Sequence, residues 1–236
     1  MQVDDLLGKP IALVVALALV SLVPFVFMGM TAFVKISTVL QIVRSAIGAQ
    51  SVPSSTVVMA LSTALTLIAM APVGQKIFDR AAPLVTQTHS PSAVARGGAH
   101  GKEGVDTSAL VLRGLEAVRE PMREFLEKNA SDKERARFLA VAKKARTEAE
   151  AEKVGASDLS VLVPAFVVTE LTEAFAVGFL VYLPFLVLDL VVANVLLALG
   201  MQMLNPTQVS LPFKLLLFVG IDGWGLLAQA LVAGYR

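Results

Sequence analysis

Residues 162–192 read LVPAFVVTELTEAFAVGFLVYLPFLVLDLVV, an apolar run that nevertheless carries three carboxylates, Glu170, Glu173 and Asp189. The run is longer than the roughly 20 residues that cross a bilayer as one helix. A charged side chain at the centre of such a helix costs about 2.5–3.5 kcal/mol on insertion scales. Each acid therefore needs water at a helix end, a cation, or a neighbouring chain. Glu170 and Glu173, spaced i, i+3, fall on one helix face. Asp189 follows Pro184 and is free to point elsewhere.

The surrounding chain has the composition of a membrane protein. Of its 236 residues 56% are hydrophobic and 17% charged, against about 25% charged in soluble domains, and its mean hydropathy is +0.72. A net charge of +1 supplies no concentrated basic face for nucleic acid. The absence of cysteine excludes disulfides and thiolate metal sites. At the N-terminus, MQVDDLLGKP lacks a positively charged leader. The apolar run from Ile11 to Val34 outlasts the 7–15 residues of a signal-peptide core, which predicts a retained helix.

Four apolar blocks emerge: Ile11–Val34, closed by Lys35; Pro53–Val73, opened by the capping sequence SVPSST; Leu159–Met203; and Leu211–Val232, which holds Lys214 and Asp222. The third is too long for one straight span, so Pro164, Gly178 and Pro184 are its expected bends. Residues 74–158 differ, holding 15 of the 20 Lys+Arg and 13 of the 19 Asp+Glu. Within them HSPSAVARGGAHGKEGVD, residues 89–106, reads as a flexible loop, set at 84–107 with its flanks. Two helices follow. LVLRGLEAVREPMREFLEKN spaces Leu112, Leu115, Val118, Met122 and Phe125 as a helical stripe with a kink or break at Pro121. SDKERARFLAVAKKARTEAEAEKV opens with Ser131 and Glu134 at capping-box spacing. No β period is visible. The expectation is an all-α integral membrane protein: an N-terminal apolar hairpin over 1–73, a charged extracytoplasmic insert over 74–158, and C-terminal apolar helices over 159–236. Lys35 and Arg44, read as loop cations after the first block, set that orientation by the positive-inside rule.

Enzyme chemistry finds no support. The two histidines, His89 and His100, fall in the loop, and neither HExxH nor a P-loop pattern occurs. Without cysteine or histidine in the apolar blocks, no Cys–His or Ser–His site can form there. No cofactor or metal is implied. What remains is the buried charge. Each acid either reaches interfacial water, or Glu170 or Asp189 pairs with Lys214 within the chain or between copies. Lys214 and Asp222, eight apart, share roughly one side of a helix. In an ion-coupled transporter, such groups form the ion path; in an assembly, they fix register. Residues 199–206, LGMQMLNP, add two flexible methionines at a proline-ended turn, serving either as core filler or as a deformable seal.

Several long strings in order carry a resemblance: MTAFVKISTVLQIVRSAIGAQSVPSSTV, IAMAPVGQKIF, EPMREFLEKN, LVPAFVVTELTEAF, LPFLVLDLVVANVLLALGM and VSLPFKLLLFVGIDGWGLL. Together they resemble the type III secretion export-gate family, SctR in injectisomes and FliP in flagella, over nearly the whole chain outside 84–107. The resemblance implies a non-enzymatic subunit in the bacterial cytoplasmic membrane. Helical hairpins would pack into a cone-shaped pentamer with T-type and S-type subunits, much of it on the periplasmic side. Membrane lipid surrounds it and unfolded secreted proteins pass through its pore. The same resemblance implies that Glu170 and Asp189 meet Lys214 across subunits, and that Met201, Gln202 and Met203 form the pore gasket. The family usually has three methionines at the gasket; Gln202 departs from that pattern. The short insert and the lack of a cleaved leader favour the injectisome branch. The alternative reading is a small ion-coupled transporter or channel subunit.

Overall fold

The computed structural model describes residues 24–49, 53–88 and 107–235, with positions 14, 17, 18, 21 and 22. Among them there is helix and no strand. The helices are α1 (Pro24–Met30), α2 (Phe33–Ile47), α3 (Ser55–Thr88), α4 (Thr107–Asn129), α5 (Asp132–Lys144), α6 (Glu148–Ala151), α7 (Leu159–Ala198), α8 (Pro206–Gly220) and α9 (Gly223–Ala233). They form two compact units. One joins the residues up to Thr66 with Glu173–Gly223; the other joins Leu67–Thr172 with the residues from Trp224 onward.

In the first unit α1 and α2 meet at 81°. The Thr31 hydroxyl donates to the Phe27 carbonyl at 2.5 Å in the elbow, and the Phe27 and Phe33 rings lie 5.8 Å apart across it. Helix α2 buries Phe33, Ile36, Leu40, Val43 and Ile47, spaced three or four apart, each 6% exposed or less. Lys35 and Arg44 lie inside this helix. The loop cations on which the orientation rested are therefore helical residues, and the positive-inside argument loses its basis.

No break interrupts the third block: α7 is one helix of 40 residues through Pro164, Gly178 and Pro184. Each proline forfeits only one backbone bond. A break would leave several groups unsatisfied in apolar surroundings, where the backbone must satisfy itself. Gly178 serves packing instead of bending. A Cβ there would fall 2.5 Å from the Ile42 Cδ1 atom, so its absence lets α7 close on α2. The fourth block is divided. Residues Ile221 and Asp222 separate α8 from α9, and Asp222 has the left-handed φ of 53°. Lys214 and Asp222 thus share no helix.

In the second unit α3 and α4 are joined by Glu124, which meets Lys76 at 2.7 Å and Arg80 at 3.4 Å. The core holds Leu126, Val161, Leu162, Ala165 and Phe166, 0% exposed, with the Phe125 and Phe166 rings 5.5 Å apart. Pro121 lies inside an unbroken α4. Of the predicted stripe on α4, Phe125 is buried while Leu115 and Val118 are exposed; the side chain of Leu112 lies outside the described residues. Ser131 caps α5 by accepting from the Glu134 N–H at 3.3 Å. The one helix expected from Ser131 to Val154 is two. Thr147 starts α6, and the Glu150 carboxylate accepts from its hydroxyl at 2.8 Å. The chain is helical at 84–88 and again from Thr107, against the loop expected over 84–107. Residues 89–106, with His89 and His100, lie outside the described residues.

Among the described residues two stretches, Ser55–Pro83 and Leu159–Ala198, are long and apolar enough to cross a membrane, or up to four if each bent pair counts as one span. Of the most apolar window of α7, 11% is buried within the chain. The rest of that surface needs lipid or protein around it.

Candidate functional site

Asp189 and Lys214 come together within one chain, Nζ to Oδ2 at 2.7 Å. Lys214 is 2% exposed. Its ammonium also donates to the Ala46 carbonyl at 3.1 Å, in the last turn of α2. Carbonyls there lack intrahelical partners, and a cation suits the negative end of the helix dipole. Gly48 then turns the chain away at φ 80°, and a Cβ on it would sit 3.3 Å from the Thr207 Cγ2 atom. Asp189 accepts a second bond from the Ser210 hydroxyl, one turn before Lys214 on α8. One carboxylate thus holds two donors of α8, and one ammonium ties that pair to the end of α2.

Beyond this node α7 and α8 run antiparallel. The Phe185 and Phe218 rings meet at 6.0 Å. This pair and Asp189–Lys214 are both symmetric in sequence about the Met201–Gln202 bond, so Met201, Gln202 and Met203 form the tip of a hairpin. Each end of the tip is fixed. Gly200, at φ 72°, closes α7 with bonds from the Gly200 N–H to the Leu197 carbonyl and from the Met201 N–H to the Leu196 carbonyl, 3.0 and 2.9 Å. That is the Schellman arrangement. Asn205 opens α8, its side chain accepting from the Thr207 N–H at 3.0 Å, with Pro206 at the first helical position. Between these caps Met201 is 49% and Met203 99% exposed, and Gln202 is exposed beside them.

Glu170, the other acid grouped with Lys214 in the sequence, lies in the second unit. It is 1% exposed, and its carboxylate accepts from the Tyr235 hydroxyl, whose ring stacks on Phe125 with centroids 6.1 Å apart. Glu173 lies in the first unit, where it meets Lys35 at 2.6 Å. Ser210, Tyr235 and the Ala46 carbonyl escaped the sequence reading. Ser210 had a signal, since it stands four residues before Lys214 and shares its helix face. Among the described residues no group of three His, Cys, Asp or Glu is placed to hold a metal ion.

The sequence pattern of the FliP family matches residues 16–231. The chain belongs to the FliP family. "Pathogenicity-related ORF2" of Xanthomonas campestris pv. glycines is 43% identical over 224 residues, covering 95% of this chain and 96% of that one. "Hypersensitivity response secretion protein HrcR" of Ralstonia nicotianae is 40% identical over 95% of this chain and 97% of its own length. "Yop proteins translocation protein R" of Yersinia pestis is 36% identical over 97% and 98%. The FliP-family match takes in α1 to α8 and most of α9, including Glu170, the Asp189–Lys214 pair and the methionine tip.

Proposed function

We propose that this FliP-family chain is a core subunit of the export gate of a type III protein secretion apparatus, of the injectisome branch. It catalyses no reaction. Further copies form with it the pore through which unfolded proteins cross the cytoplasmic membrane. The names of its relatives, drawn from pathogenicity, hypersensitivity-response secretion and Yop translocation, support the branch. The observation that carries the gate reading is the α7–α8 tip. Two methionines, one half exposed and one almost fully exposed, stand on a turn capped at both ends.

In the assembly that this reading requires, five copies surround one axis with T-type and S-type subunits as a cone, much of it on the periplasmic side. The apolar flank of α7 faces neighbouring subunits. Met201 and Met203 close the pore as a ring of deformable thioethers, since methionine fills irregular gaps without fixed geometry. Gln202 places an amide in that ring and wets it, unless it hydrogen-bonds to its neighbour.

Ion leak through the co-expressed complex, reconstituted in liposomes, tests the reading. Replacing both methionines by alanine raises the leak, and Gln202→Met lowers it. An unchanged leak from a correctly assembled double mutant would remove the gasket role.

A further inference from the structure

A groove of about 350 Å³ lies in the second unit between α3 and α4, and Tyr235, the partner of Glu170, is one of its lining residues. Its apolar lining includes Ala69 and Val73 of α3, Phe125 of α4 and Tyr235. Lys76, Glu124 and Lys128 also line it, and they are exposed. The charges there do not balance. Glu124 is shared by Lys76 and Arg80, while Lys128 makes no ion pair among the described residues.

The distribution along α3 has a direction. The membrane-length stretch Ser55–Pro83 has its first charge at Lys76. The apolar wall of the groove reaches from there back to Ala69, along the part of the helix suited to lipid. A cationic mouth at the end of an apolar helix, opening onto an apolar trough that follows the helix inward, matches an amphiphile with an anionic head. Basic groups beside membrane helices attract anionic headgroups in this way.

We infer that the α3–α4 groove is a binding site for one anionic phospholipid, its phosphate between Lys76 and Lys128 and the upper part of an acyl chain along Val73 and Ala69. A ligand held by charge alone would need no trough, and an uncharged one would need no unpaired lysine. The inference is independent of the export-gate reading.

Native mass spectrometry of the detergent-purified full chain, titrated with dioleoylphosphatidylglycerol or dioleoylphosphatidylcholine, tests it. The expected result is preferential uptake of one phosphatidylglycerol. Lys128→Gln weakens that uptake about fivefold, the effect of one cation near an anionic headgroup, and Val73→Phe, which fills the trough, abolishes it. Lys144→Gln, on exposed α5, leaves it unchanged. Equal uptake of the two lipids overturns the inference, as does an equal loss in the Lys144 variant. Displacement of the lipid by glycerol 3-phosphate at similar concentration would assign the site to a free phosphate. Circular dichroism confirms that each variant is folded. If Val73→Phe unfolds the chain, Lys128→Gln against Lys144→Gln decides.

Discussion

Gly178 of α7 lies so close to Ile42 of α2 that an added Cβ would stand 2.5 Å from the Ile42 Cδ1 atom, 3.0 Å from Cγ2 and 3.2 Å from Cβ. The end of a side chain can swing aside, but the Ile42 Cβ moves only with its helix. Gly178→Ala is therefore expected to destabilise the first unit by about 1–3 kcal/mol, the usual range for overpacking. Ile42→Ala in the same chain should recover much of that loss. Unfolding of the detergent-solubilised protein, followed by circular dichroism, measures both. Equal stability of Gly178→Ala and wild type would mean that the helices are not packed as described.

The Asp189–Lys214 pair yields an asymmetric expectation. Lys214→Met leaves the Asp189 carboxylate with Ser210 but without its cation, and removing one member of a buried pair costs about 3–5 kcal/mol. Asp189 keeps 24% of its side chain exposed, which favours the lower end. The charge-swapped double variant Asp189→Lys, Lys214→Asp should fail to recover stability. It would set a carboxylate against the Ala46 carbonyl and the negative end of α2. Full recovery in denaturant titration would reduce the Ala46 bond to an incidental contact.

Two glycines should respond in opposite directions. Gly48 has φ 80° and a near neighbour in Thr207, whereas Gly74 sits inside α3 with nothing within 4 Å of the place a Cβ would take. Gly48→Ala should destabilise by about 1 kcal/mol or more. Gly74→Ala should stabilise by about 0.5–1 kcal/mol. Thermal midpoints of the two variants in one detergent provide the comparison.

Glu124 sets an acid dependence for the α3–α4 contact. The hydrogen bond from Lys76, then the charge of Lys76, and further the Arg80 guanidinium hold its carboxyl below the usual carboxylate range. Its folded value lies below the unfolded one, so its contribution is complete above the unfolded value and is lost as pH falls through the folded value. Hydrogen exchange in α4 should therefore quicken on acidification beyond the intrinsic effect of pH. Glu124→Gln should remove that excess. The same excess in the variant would place its origin elsewhere.

The apolar blocks, the family pattern and the need for partners at the buried acids were all legible in the sequence, because hydropathy and charge are properties of single residues. The breaks were not. Pro164, Pro184 and Gly178 looked like bends yet lie in one unbroken helix, while Thr147 and Asp222 interrupt helices where composition showed no boundary. Thr147 did carry a signal, its spacing to Glu150, hidden inside a charged run that looked uniformly helical. Partner choice was the other gap. Asp189 could be matched to Lys214 as acid to base, but no local pattern could send Glu170 to Tyr235 or aim Lys214 at a backbone carbonyl, because those choices depend on how distant helices meet.

The Lys214 ammonium reaches a carbonyl 168 positions earlier in the chain, and Tyr235 reaches Glu170 across 65. A ribosome adding about 5–20 residues per second delivers Lys214 on the order of ten seconds or more after Ala46 has emerged. Helix α2 must wait that long for this bond at its final turn. Asp189 finds its cation 25 positions further on, in a helix made after its own. The fold is thus completed from its last-made end, and a nascent chain interrupted before α8 would present the membrane with a carboxylate still lacking its lysine.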